Sequence, residues 1–458
     1  MKGKKMSTNR NTGFSILGDF VSIRFPREAY EAIRREFAKD KRNEQFAFGL
    51  FSQAKTADGT VLVVRDLFFP DEKDMTQQSG GRAVPTYEFQ AVVYLIAEQR
   101  RRGILDIHTH TSGNAPHFSP IDYTESAKNA KYISGRFPYP VTHAMIVFNN
   151  EATAQDAIVY DRSLEFYRPI DSVEILGRRM EIIHPTEAVG SSLEADPRCS
   201  RQVIIPGWDQ TSIGHVKVAV VGLGGNGARV LETFVSIGVG TEGWIAGIDP
   251  DVIEESNLPR IPYAFPEDVG RSKATVAAEF ARHKNPKVNF YPYPCSVTEA
   301  VAVERIKAAT IMICAPDNDG VRKVCNELSV RYMVPMIDLG CEIQVHDGEV
   351  SAGGQVRVVL PGSNACLVCC GGYDPSAAAI DLMGDDLRAE HAAHGYVQGQ
   401  DGEPTPSVAN LNAIIAQLGI CAFLSLVYGE KFGNWDYAHF DQLTAQCDLA
   451  IYYAAKSP

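Results

Sequence analysis

The pattern of hydrophobic positions in the second half of the chain predicts buried parallel strands. An apolar run that only Lys217 interrupts begins at Val216, and apolar residues then recur with helical spacing as far as Gly238. A second apolar run, 244–248, ends at Asp249, and a third covers 311–314. Continuous apolar runs are typical of strands that are covered on both faces, and the strand–helix–strand order predicts a parallel βαβ unit.

The first part of the chain, as far as about Arg168, has a different pattern, in which short strands alternate with helices. In some stretches an apolar residue recurs every three or four positions, and in others apolar residues fill a short continuous run. The predicted elements are helices at 26–39 and 89–99 and strands at 45–53, 61–69 and 104–111. This alternation predicts a compact α+β domain.

Length and composition set the broad class. A chain of 458 residues predicts two or three domains. We expect a disordered start at 1–12, an α+β domain at 13–170, a linker at 171–197 and an α/β domain at 198–458. A hydrophobic share of 45% and a charged share of 22% are ordinary for soluble globular proteins.

Charge and cysteine usage exclude several classes. The net charge of −12 argues against nucleic acid as the main partner. No apolar run approaches the roughly 18 residues that a membrane span needs, so we expect no membrane partner. The first residues contain no apolar signal-peptide core. All 10 cysteines lie from Cys199 onward, several inside apolar runs, which argues against a secreted disulfide framework. We therefore expect a cytoplasmic protein.

A glycine motif follows the first apolar run of the α/β domain. Gly222, Gly224 and Gly227 form G-x-G-x-x-G, and Asp249 follows about twenty residues later. Such glycines let the backbone approach a phosphate, the helix N-terminus favours negative charge, and the acid can accept hydrogen bonds from ribose hydroxyls. Alone, the motif favours a dinucleotide such as NAD.

Charged and polar residues beyond this motif favour ATP instead. Asp251, Asn257 and Arg260 follow the second predicted strand, and Lys273 begins a later predicted helix. Asp317, Asn318 and Arg322 follow the strand at 311–314. An enzyme that attacks the α-phosphate of ATP needs cations for the triphosphate and a carboxylate for magnesium. A hydride-transfer enzyme needs neither. The pair Asp317-Asn318 is also a common turn signal, although its place at a strand end favours a ligand site.

These motifs resemble those of the ThiF/MoeB adenylyltransferases and the related ubiquitin-activating enzymes. That family's pattern is GxGxxG, DxDxVExSNLxRQ, GxxKA and a later DN. Here 249–261 reads DPDVIEESNLPRI and 270–274 reads GRSKA. Upstream of both, RCSRQ at 198–202 resembles the family's entry segment RYxRQxxxxG. Five motifs occur in order over roughly 195–455. This sequence departs from the pattern twice: Ile261 stands where the family has Gln, and Pro259 precedes Arg260. Neither departure removes a charged group.

The resemblance implies a Rossmann-like, doubly wound sheet that binds ATP and Mg²⁺. By position, Asp249 would bind the ribose, Arg260 and Lys273 would contact phosphates, and Asp317 would coordinate Mg²⁺. Arg201 would act as an arginine finger, which the second subunit often supplies in this family. The resemblance therefore also implies a homodimer.

The α+β domain carries a second chemical signal. His108 and His110 are two apart on a predicted strand, so both side chains leave the same face. Ser119 and Asp122 follow at the start of a helical pattern. Two imidazoles and a carboxylate make a three-ligand zinc site with an open fourth position, and Glu44 could serve as general base there. The alternative is an ordinary helix capping box from Ser119 to Asp122.

This second constellation resembles the JAMM motif of JAB/MPN metalloproteases, E…HxHx7SxxD. The resemblance implies that His108, His110 and Asp122 bind Zn²⁺, that Glu44 is the acid/base, and that Ser119 assists the oxyanion. Eight residues rather than seven separate His110 from Ser119, and the residue after His110 is a threonine instead of the usual proline.

Three clustered cysteines leave their role open. Cys366, Cys369 and Cys370 give half of a zinc knuckle. ThiF/MoeB-like proteins often have a second CxxC near the C-terminus, which this chain lacks. His391 and His394 could complete a Cys₂His₂ site; the alternative is a set of buried or turn cysteines.

The same cysteines bear on thioester chemistry. The segment 371–420 contains no cysteine, although activating enzymes that pass a ubiquitin-like protein onward usually carry a nucleophilic one there. Either Cys366, Cys369 or Cys370 is the nucleophile, or the reaction stops at the acyl-adenylate and an external thiol or amine takes the acyl group. Cys341 is a poorer candidate.

Together the two halves suggest one substrate. A small ubiquitin-like or sulfur-carrier protein that ends in Gly-Gly suits both adenylation of its carboxylate and hydrolysis at that terminus by a zinc peptidase. A ubiquitin-conjugating-like enzyme is a further expected partner, and the linker would tether the two sites. The alternatives are an NAD-dependent oxidoreductase with a metal-binding accessory domain, and a non-enzymatic scaffold with degenerate sites.

Overall fold

The computed structural model describes residues 15–111, 117–137, 142–185, 196–383 and 406–451. The expected disordered start at 1–12, residues 186–195 of the expected linker, and both His391 and His394 lie outside these ranges. The chain divides into two compact units, and each has a sheet of its own. The first unit comprises Met1–Glu174 and Ile182–Ala188; the second comprises Ile175–Glu181 and Val189–Pro458.

The first unit is built on a mixed sheet. Its strands are β1 (Phe20–Pro26), β2 (Phe46–Lys55), β3 (Gly59–Phe68), β6 (Gly103–Thr109), β7 (His143–Phe148), β8 (Ala154–Asp161), β9 (Phe166–Pro169), β10 (Ser172–Leu176) and β11 (Glu181–Ile183), and a separate hairpin pairs β4 (Met75–Ser79) with β5 (Arg82–Pro85). The sheet order is β11-β10-β1-β3-β2-β6-β7-β8-β9. The helices are α1 (Arg27–Phe37), α2 (Tyr87–Arg100) and α3 (Pro120–Arg136). The predicted helical spacing of α1 is confirmed, since Tyr30, Ile33 and Phe37 form its buried face.

The second unit is built on a sheet that is parallel at one side and antiparallel at the other. Its strands are β12 (Lys217–Val221), β13 (Trp244–Ile248), β14 (Phe290–Tyr293), β15 (Ile311–Cys314), β16 (Met336–His346), β17 (Glu349–Val359), β18 (Tyr437–Asp441) and β19 (Gln446–Ala450). The helices are α4 (Gln210–His215), α5 (Gly225–Ile237), α6 (Lys273–Lys284), α7 (Ala300–Ala308), α8 (Asp319–Tyr332), α9 (Pro375–Asp381) and α10 (Ala409–Tyr428).

The strand order β14-β13-β12-β15-β16-β17-β18-β19 positions the candidate site. β12 pairs in parallel with β13 on one side and with β15 on the other. The chain therefore leaves β12 toward one side and returns for β15 on the other, which opens a crevice at the carboxyl ends of these strands. The predicted parallel βαβ unit is confirmed.

Helix α10 corrects one expectation. It has 20 residues and is apolar enough to cross a membrane by length and composition, so the expectation that no such segment exists is wrong. More than half of its apolar window is buried in the structure. It packs against α5, β16 and β17, with Leu411, Ile415 and Phe423 among its buried residues.

Candidate functional site

The glycine turn after β12 forms one wall of a large cavity. Gly222 has a φ of +86°, which few residues other than glycine adopt. A Cβ atom on Gly227 would lie 1.9 Å from the carbonyl oxygen of Gly222, so only glycine allows α5 to approach the turn this closely. A Cβ atom on Gly224 would meet nothing within 4 Å. Gly224 therefore opens onto free space at the N-terminus of α5, as a phosphate site requires.

Asp249 joins the end of β13 to this turn. Its side chain is buried, with 4% of the residue exposed. Oδ2 accepts a hydrogen bond from the Leu223 N–H at 2.7 Å, and Oδ1 accepts one from the Asp251 N–H at 2.9 Å. Burial raises the pKa of Asp249, while the nearby charge of Lys273 opposes that rise. The carboxylate thus fixes two loops and also lines the cavity.

Two cations face the same cavity. Lys273 begins α6, and its Nζ lies 2.8 Å from Asp251 Oδ2 and 3.9 Å from Asp249 Oδ1. Arg260 also lines the cavity. Within the described ranges its guanidinium has no hydrogen-bond or ion-pair partner, so its charge is available to a ligand. Asn257, which is 5% exposed, accepts a hydrogen bond from the Glu254 N–H at 3.3 Å and shapes the loop that carries Arg260.

Asp317 and Asn318 follow β15 and have different surroundings. Asp317 is exposed and lines the cavity. Asn318 is the N-cap of α8: its Oδ1 accepts a hydrogen bond from the Val321 N–H at 2.9 Å, and its amide donates to Asp317 Oδ1 at 3.2 Å. Asn318 does not itself line the cavity. Its hydrogen bond to Asp317 instead helps to orient the Asp317 carboxylate.

The cavity has a volume of about 1060 Å³, which is large enough for a nucleotide and part of a second substrate. It contains every predicted cofactor-binding residue except Gly227, which packs beneath the turn, and Asn318. The residues that it brings together are Gly222, Gly224, Asp249, Asp251, Asn257, Arg260, Lys273 and Asp317.

Arg322 also lines the cavity, but its donors are engaged by the protein. Its Nε lies 3.2 Å from Asp338 Oδ1, one terminal nitrogen lies 3.3 Å from Asp319 Oδ1, and the other donates to the Pro316 carbonyl at 3.0 Å. Asp338 is 1% exposed. The expectation that Arg322 belongs to the free cations of the triphosphate site is therefore not supported by its contacts, which brace the ends of β15 and β16.

Cys341, the poorer candidate nucleophile, lies in the cavity wall beside polar residues that the sequence analysis did not single out. The Cys341 thiol lies 3.2 Å from Asn226 Oδ1, and the Asn412 amide donates to the same oxygen at 3.0 Å. Ser407 Oγ in turn contacts Asn412 Oδ1 at 3.2 Å. Burial raises the pKa of Cys341 to about 11, so its thiol keeps its proton near neutral pH. No motif joins these residues, because they come from three distant segments.

Arg201 and the three clustered cysteines lie outside the cavity lining. Arg201 is exposed, and its role as a finger supplied to another subunit stays a prediction. The Sγ atoms of Cys366 and Cys369 are 3.3 Å apart, and the Cys370 thiol donates to the Leu367 carbonyl at 3.3 Å. The stretch directly after them, 371–374, does line the cavity.

In the first unit, the predicted metal ligands come together. Ligand atoms of His108, His110 and Asp122 all lie within 4.8 Å of one another. His110 Nε2 is 3.3 Å from Asp122 Oδ2, and His108 Nε2 is 3.8 Å from Asp122 Oδ1. His108 Nε2 is buried and has no hydrogen-bond partner. A buried polar atom without a partner is rare in proteins, and a metal ion would satisfy it.

The two histidines differ in protonation. Burial lowers the pKa of His108 to about 4, which keeps the imidazole neutral, the form that binds metals. A hydrogen bond to Asp122 raises the pKa of His110, which favours the protonated imidazole in the metal-free site, so a bound metal ion would take the place of that proton. The residues present therefore fit a Zn²⁺ ion with two nitrogen ligands and one oxygen ligand.

Asp122 takes part in the helix cap and also lies beside both histidines. Ser119 Oγ accepts a hydrogen bond from the Asp122 N–H at 3.3 Å, and Asp122 Oδ2 accepts one from the Ser119 N–H at 2.6 Å. The predicted capping box of α3 is thus present. The same carboxylate still faces both histidines, so the cap fixes its orientation toward them.

Glu44 lies beside this group because β2 and β6 are antiparallel neighbours. Phe46 pairs with His108, so Glu44, two residues before Phe46, comes opposite His110. The Glu44 N–H donates to the Ser79 carbonyl at 2.8 Å, which fixes the backbone. Burial raises the pKa of Glu44, and the charges of His110 and Asp122 both act on it. A carboxyl with a raised pKa beside a candidate metal site suits a general base.

The sequence analysis also did not identify a buried network of polar side chains behind His108 and His110. His143 Nε2 lies 3.1 Å from Asp106 Oδ2, and its Nδ1 lies 2.6 Å from the Tyr167 hydroxyl. Tyr167 donates to the Ser126 carbonyl of α3 at 2.9 Å. These contacts link β6, which carries His108, to α3, which carries Asp122. The sequence signal was a histidine inside an apolar run, which alone is weak.

Comparison with known proteins identifies the family of the second unit. A model described as the ThiF family matches residues 199–447. The SAMP-activating enzyme E1 of Haloferax volcanii is 30% identical over 175 residues, which cover 38% of this chain and 60% of that protein. The sulfur carrier protein adenylyltransferase of Thermus thermophilus is 34% identical over 157 residues, which cover 34% of this chain and 56% of that protein. The chain therefore spans less than two thirds of these relatives. A crystal structure of E. coli MccB with ATP is 18% identical, with a TM-score of 0.43, and the match covers 57% of this chain and 73% of that one.

Proposed function

Because this chain belongs to the ThiF family, we propose that its second unit uses ATP and Mg²⁺ to adenylate the C-terminal carboxylate of a small ubiquitin-like or sulfur-carrier protein. The carboxylate oxygen attacks the α-phosphorus, an acyl-adenylate forms, and pyrophosphate leaves. Two relatives carry names that describe the activation of such carriers. The observation that carries the proposal is the convergence of Asp249, Arg260, Lys273 and Asp317 on the cavity beside the glycine turn.

Each of these groups has a task in that reaction. The free guanidinium of Arg260 and the ammonium of Lys273 offset the charge that grows on the phosphates. Asp249 accepts from the ribose hydroxyls with the lone pairs that its two loop hydrogen bonds leave free. Asp317 would hold Mg²⁺, which supplies further neutralisation of the departing pyrophosphate.

Exchange of labelled pyrophosphate into ATP tests this proposal. We expect Mg²⁺-dependent exchange that requires a carrier ending in Gly-Gly, and Asp317→Ala should abolish it. Binding of NAD without any exchange would favour the oxidoreductase reading. Carrier binding without exchange would favour the non-enzymatic scaffold.

We further propose that the first unit is a JAB/MPN (JAMM) zinc peptidase that hydrolyses an amide or isopeptide bond at the terminus of the same carrier. Its support is the cluster of His108, His110 and Asp122 with Glu44 beside it. Bound Zn²⁺ would polarise the substrate carbonyl and the attacking water. Glu44 takes the proton of the water and returns it to the leaving amine. Ser119 Oγ accepts from a backbone N–H, so its own hydrogen is free to donate to the oxyanion.

Cleavage of a carrier fused at its Gly-Gly terminus to a reporter tests the peptidase. We expect cleavage by the zinc-loaded protein and none by Glu44→Gln, which keeps the metal ligands. Equal cleavage by both proteins would contradict the role of Glu44. Partners such as a second copy that supplies Arg201, or a ubiquitin-conjugating-like acceptor, belong to the same proposal.

A further inference from the structure

The cysteine turn from Cys366 to Cys370 is not used by either proposed reaction. Leu367 anchors it: this side chain is fully buried, and its N–H donates to Asn326 Oδ1 on α8 at 2.8 Å. The Cys370 N–H donates to the Cys366 carbonyl at 3.2 Å, which closes the turn. The Cys366 and Cys369 sulfur atoms are therefore held 3.3 Å apart at the two ends of a fixed loop.

We propose that Cys366 and Cys369 form a reversible dithiol–disulfide pair whose oxidation state changes nucleotide binding in the neighbouring cavity. The second half of this statement rests on the proposed adenylation function; the first half does not. The oxidant is a soluble disulfide of the glutathione class.

The two thiols are both accessible but differ in pKa, as a reaction with one attacking and one resolving thiol needs. Cys369 is exposed and Cys366 is partly exposed, so a soluble oxidant reaches them. Burial acts to raise the pKa of Cys366, but the Cys369 N–H, the Cys369 thiol and the Asn326 side chain outweigh it, and the net pKa is lowered. The adjacent Cys366 sulfur raises the pKa of Cys369. Cys366 is thus the attacking thiolate and Cys369 the resolving thiol.

The exchange proceeds in two balanced steps. The Cys366 thiolate attacks one sulfur of the oxidant, the S–S bond of the oxidant breaks, and a small-molecule thiolate leaves. Cys369 then loses its proton and attacks the Cys366 sulfur of the mixed disulfide, which expels the second thiolate. Two protein thiols are oxidised, one soluble disulfide is reduced to two thiols, and the two leaving thiolates take up the two protons.

Another close thiol pair shows why access matters. Cys314 and Cys325 also interact with each other, but both side chains are fully buried. Burial raises the pKa of Cys314. A soluble disulfide cannot reach this pair in the folded protein, so it is an internal reference for unreactive thiols.

The cysteine turn continues directly into the cavity wall. The Gly372 N–H donates to the Leu367 carbonyl at 2.8 Å, and the Asp374 N–H donates to Asp319 Oδ2 at 3.0 Å. Residues 371–374 line the cavity. A disulfide brings the two sulfur atoms to about 2.0 Å, and because the turn runs straight into residues 371–374, any change of the turn on oxidation acts on this wall.

A zinc site is the competing explanation. A structural zinc ion takes four ligands, and within the described ranges the pair is not joined by further His, Cys, Asp or Glu side chains in a ligating cluster. Cys370 points its thiol to the Leu367 carbonyl instead. Zinc content is therefore part of the test.

The experiment uses the full chain in defined mixtures of oxidised and reduced glutathione. Peptide mass mapping should show a Cys366–Cys369 cross-link, with the loss of two hydrogen atoms, that dithiothreitol reverses. Cys366→Ser and Cys369→Ser should not form it, whereas Cys447→Ser, at an exposed cysteine of β19, should behave like the parent protein. MgATP affinity should differ between the two states by at least about fivefold.

Three outcomes would overturn the inference. They are the absence of the cross-link at every glutathione ratio, equal nucleotide affinity in both states, and a zinc ion that the reduced protein retains and Cys366→Ser loses. If reduced protein binds no nucleotide at all, the adenylation proposal fails, and the cross-link still decides whether the thiol pair exists.

Discussion

The carboxylate of Asp249 accepts a 2.7 Å hydrogen bond from the backbone N–H of Leu223 and so ties the end of β13 to the glycine turn after β12. The residue expected to hold the ribose thus also holds the loop that would receive the phosphates. Fold stability and the proposed nucleotide binding would share one side chain at this point.

The substitution Asp249→Asn tests this double role. An amide keeps one acceptor oxygen for two backbone N–H groups, so one of them loses its partner, and we expect the free energy of unfolding to fall by about 1–3 kcal/mol. Nucleotide affinity should fall as well. Urea denaturation and MgATP titration measure the two effects. Asp347→Asn, at an exposed position of the β16–β17 turn, is the matched control and should change neither quantity.

Two glycines of the same turn should respond differently to alanine. Gly227→Ala places a methyl group 1.9 Å from the Gly222 carbonyl oxygen, so α5 must shift, and we expect a loss of at least about 2 kcal/mol of stability. Gly224→Ala has free space around its methyl group, so the protein should fold normally but bind ATP weakly. Thermal unfolding with and without MgATP separates the cases, and equal destabilisation by both substitutions would contradict this assignment.

Lys273→Ala should reduce pyrophosphate exchange by roughly 100-fold, because it removes a cation from the site where phosphate charge develops. Lys284→Ala is the control, since it changes the same residue type at the exposed end of the same helix. The measurement is the exchange rate at saturating ATP and Mg²⁺. Similar rates in both variants would mean that Lys273 serves only its ion pairs with Asp249 and Asp251.

Zinc content should separate the proposed ligands from their neighbour. His108→Ala removes one of three ligands, and we expect the zinc stoichiometry of the purified protein to fall from one toward none. His117→Ala should keep the metal, because His117 is exposed and its ring lies 3.2 Å from Asp156 instead. Elemental analysis after dialysis decides the question; retention of zinc by His108→Ala would remove the basis of the peptidase proposal.

Thiol alkylation should depend on pH in a residue-specific way. Only the thiolate reacts, so a lowered pKa increases the reactive fraction at a given pH and a raised pKa decreases it. Cys366, whose pKa is lowered, should react with iodoacetamide at a lower pH than an ordinary thiol, whereas Cys341 should stay largely unreactive until the pH approaches about 11. Peptide mapping over a pH series gives both midpoints, and an early reaction of Cys341 would contradict its protonated, buried state.

Local sequence patterns predicted the elements that local chemistry determines. The glycine turn, the first turn of α6 at Lys273 and the capping box of α3 each depend on residues close together in the chain. The same holds for the pair His108 and His110, whose spacing alone sends both side chains to one face. These features were recognisable before the tertiary structure was known.

Residues whose role depends on distant partners were not predictable in this way. The sequence predicts Arg322 as a free cation, because its partner Asp338 lies 16 positions later and only the fold brings the two side chains together. Asn226 and Asn412 meet across 186 positions, and only the packing of α10 against α5 brings them together. The capping box at Asp122 is present, and its role as a metal ligand stays a prediction; a carboxylate has two oxygens and lone pairs enough for both tasks.

The interleaving of the two units along the chain limits how they can be separated. A fragment that ends at Glu174 lacks His184, whose ring nitrogen lies 3.1 Å from the Asp171 carbonyl. A fragment that begins at Val189 lacks Met180, whose N–H donates to the Leu426 carbonyl at 2.8 Å. No single proteolytic nick or gene fission between these points yields both halves whole. Recombination that exchanges one unit for another must therefore also exchange a short segment that lies within the other unit's stretch of the chain.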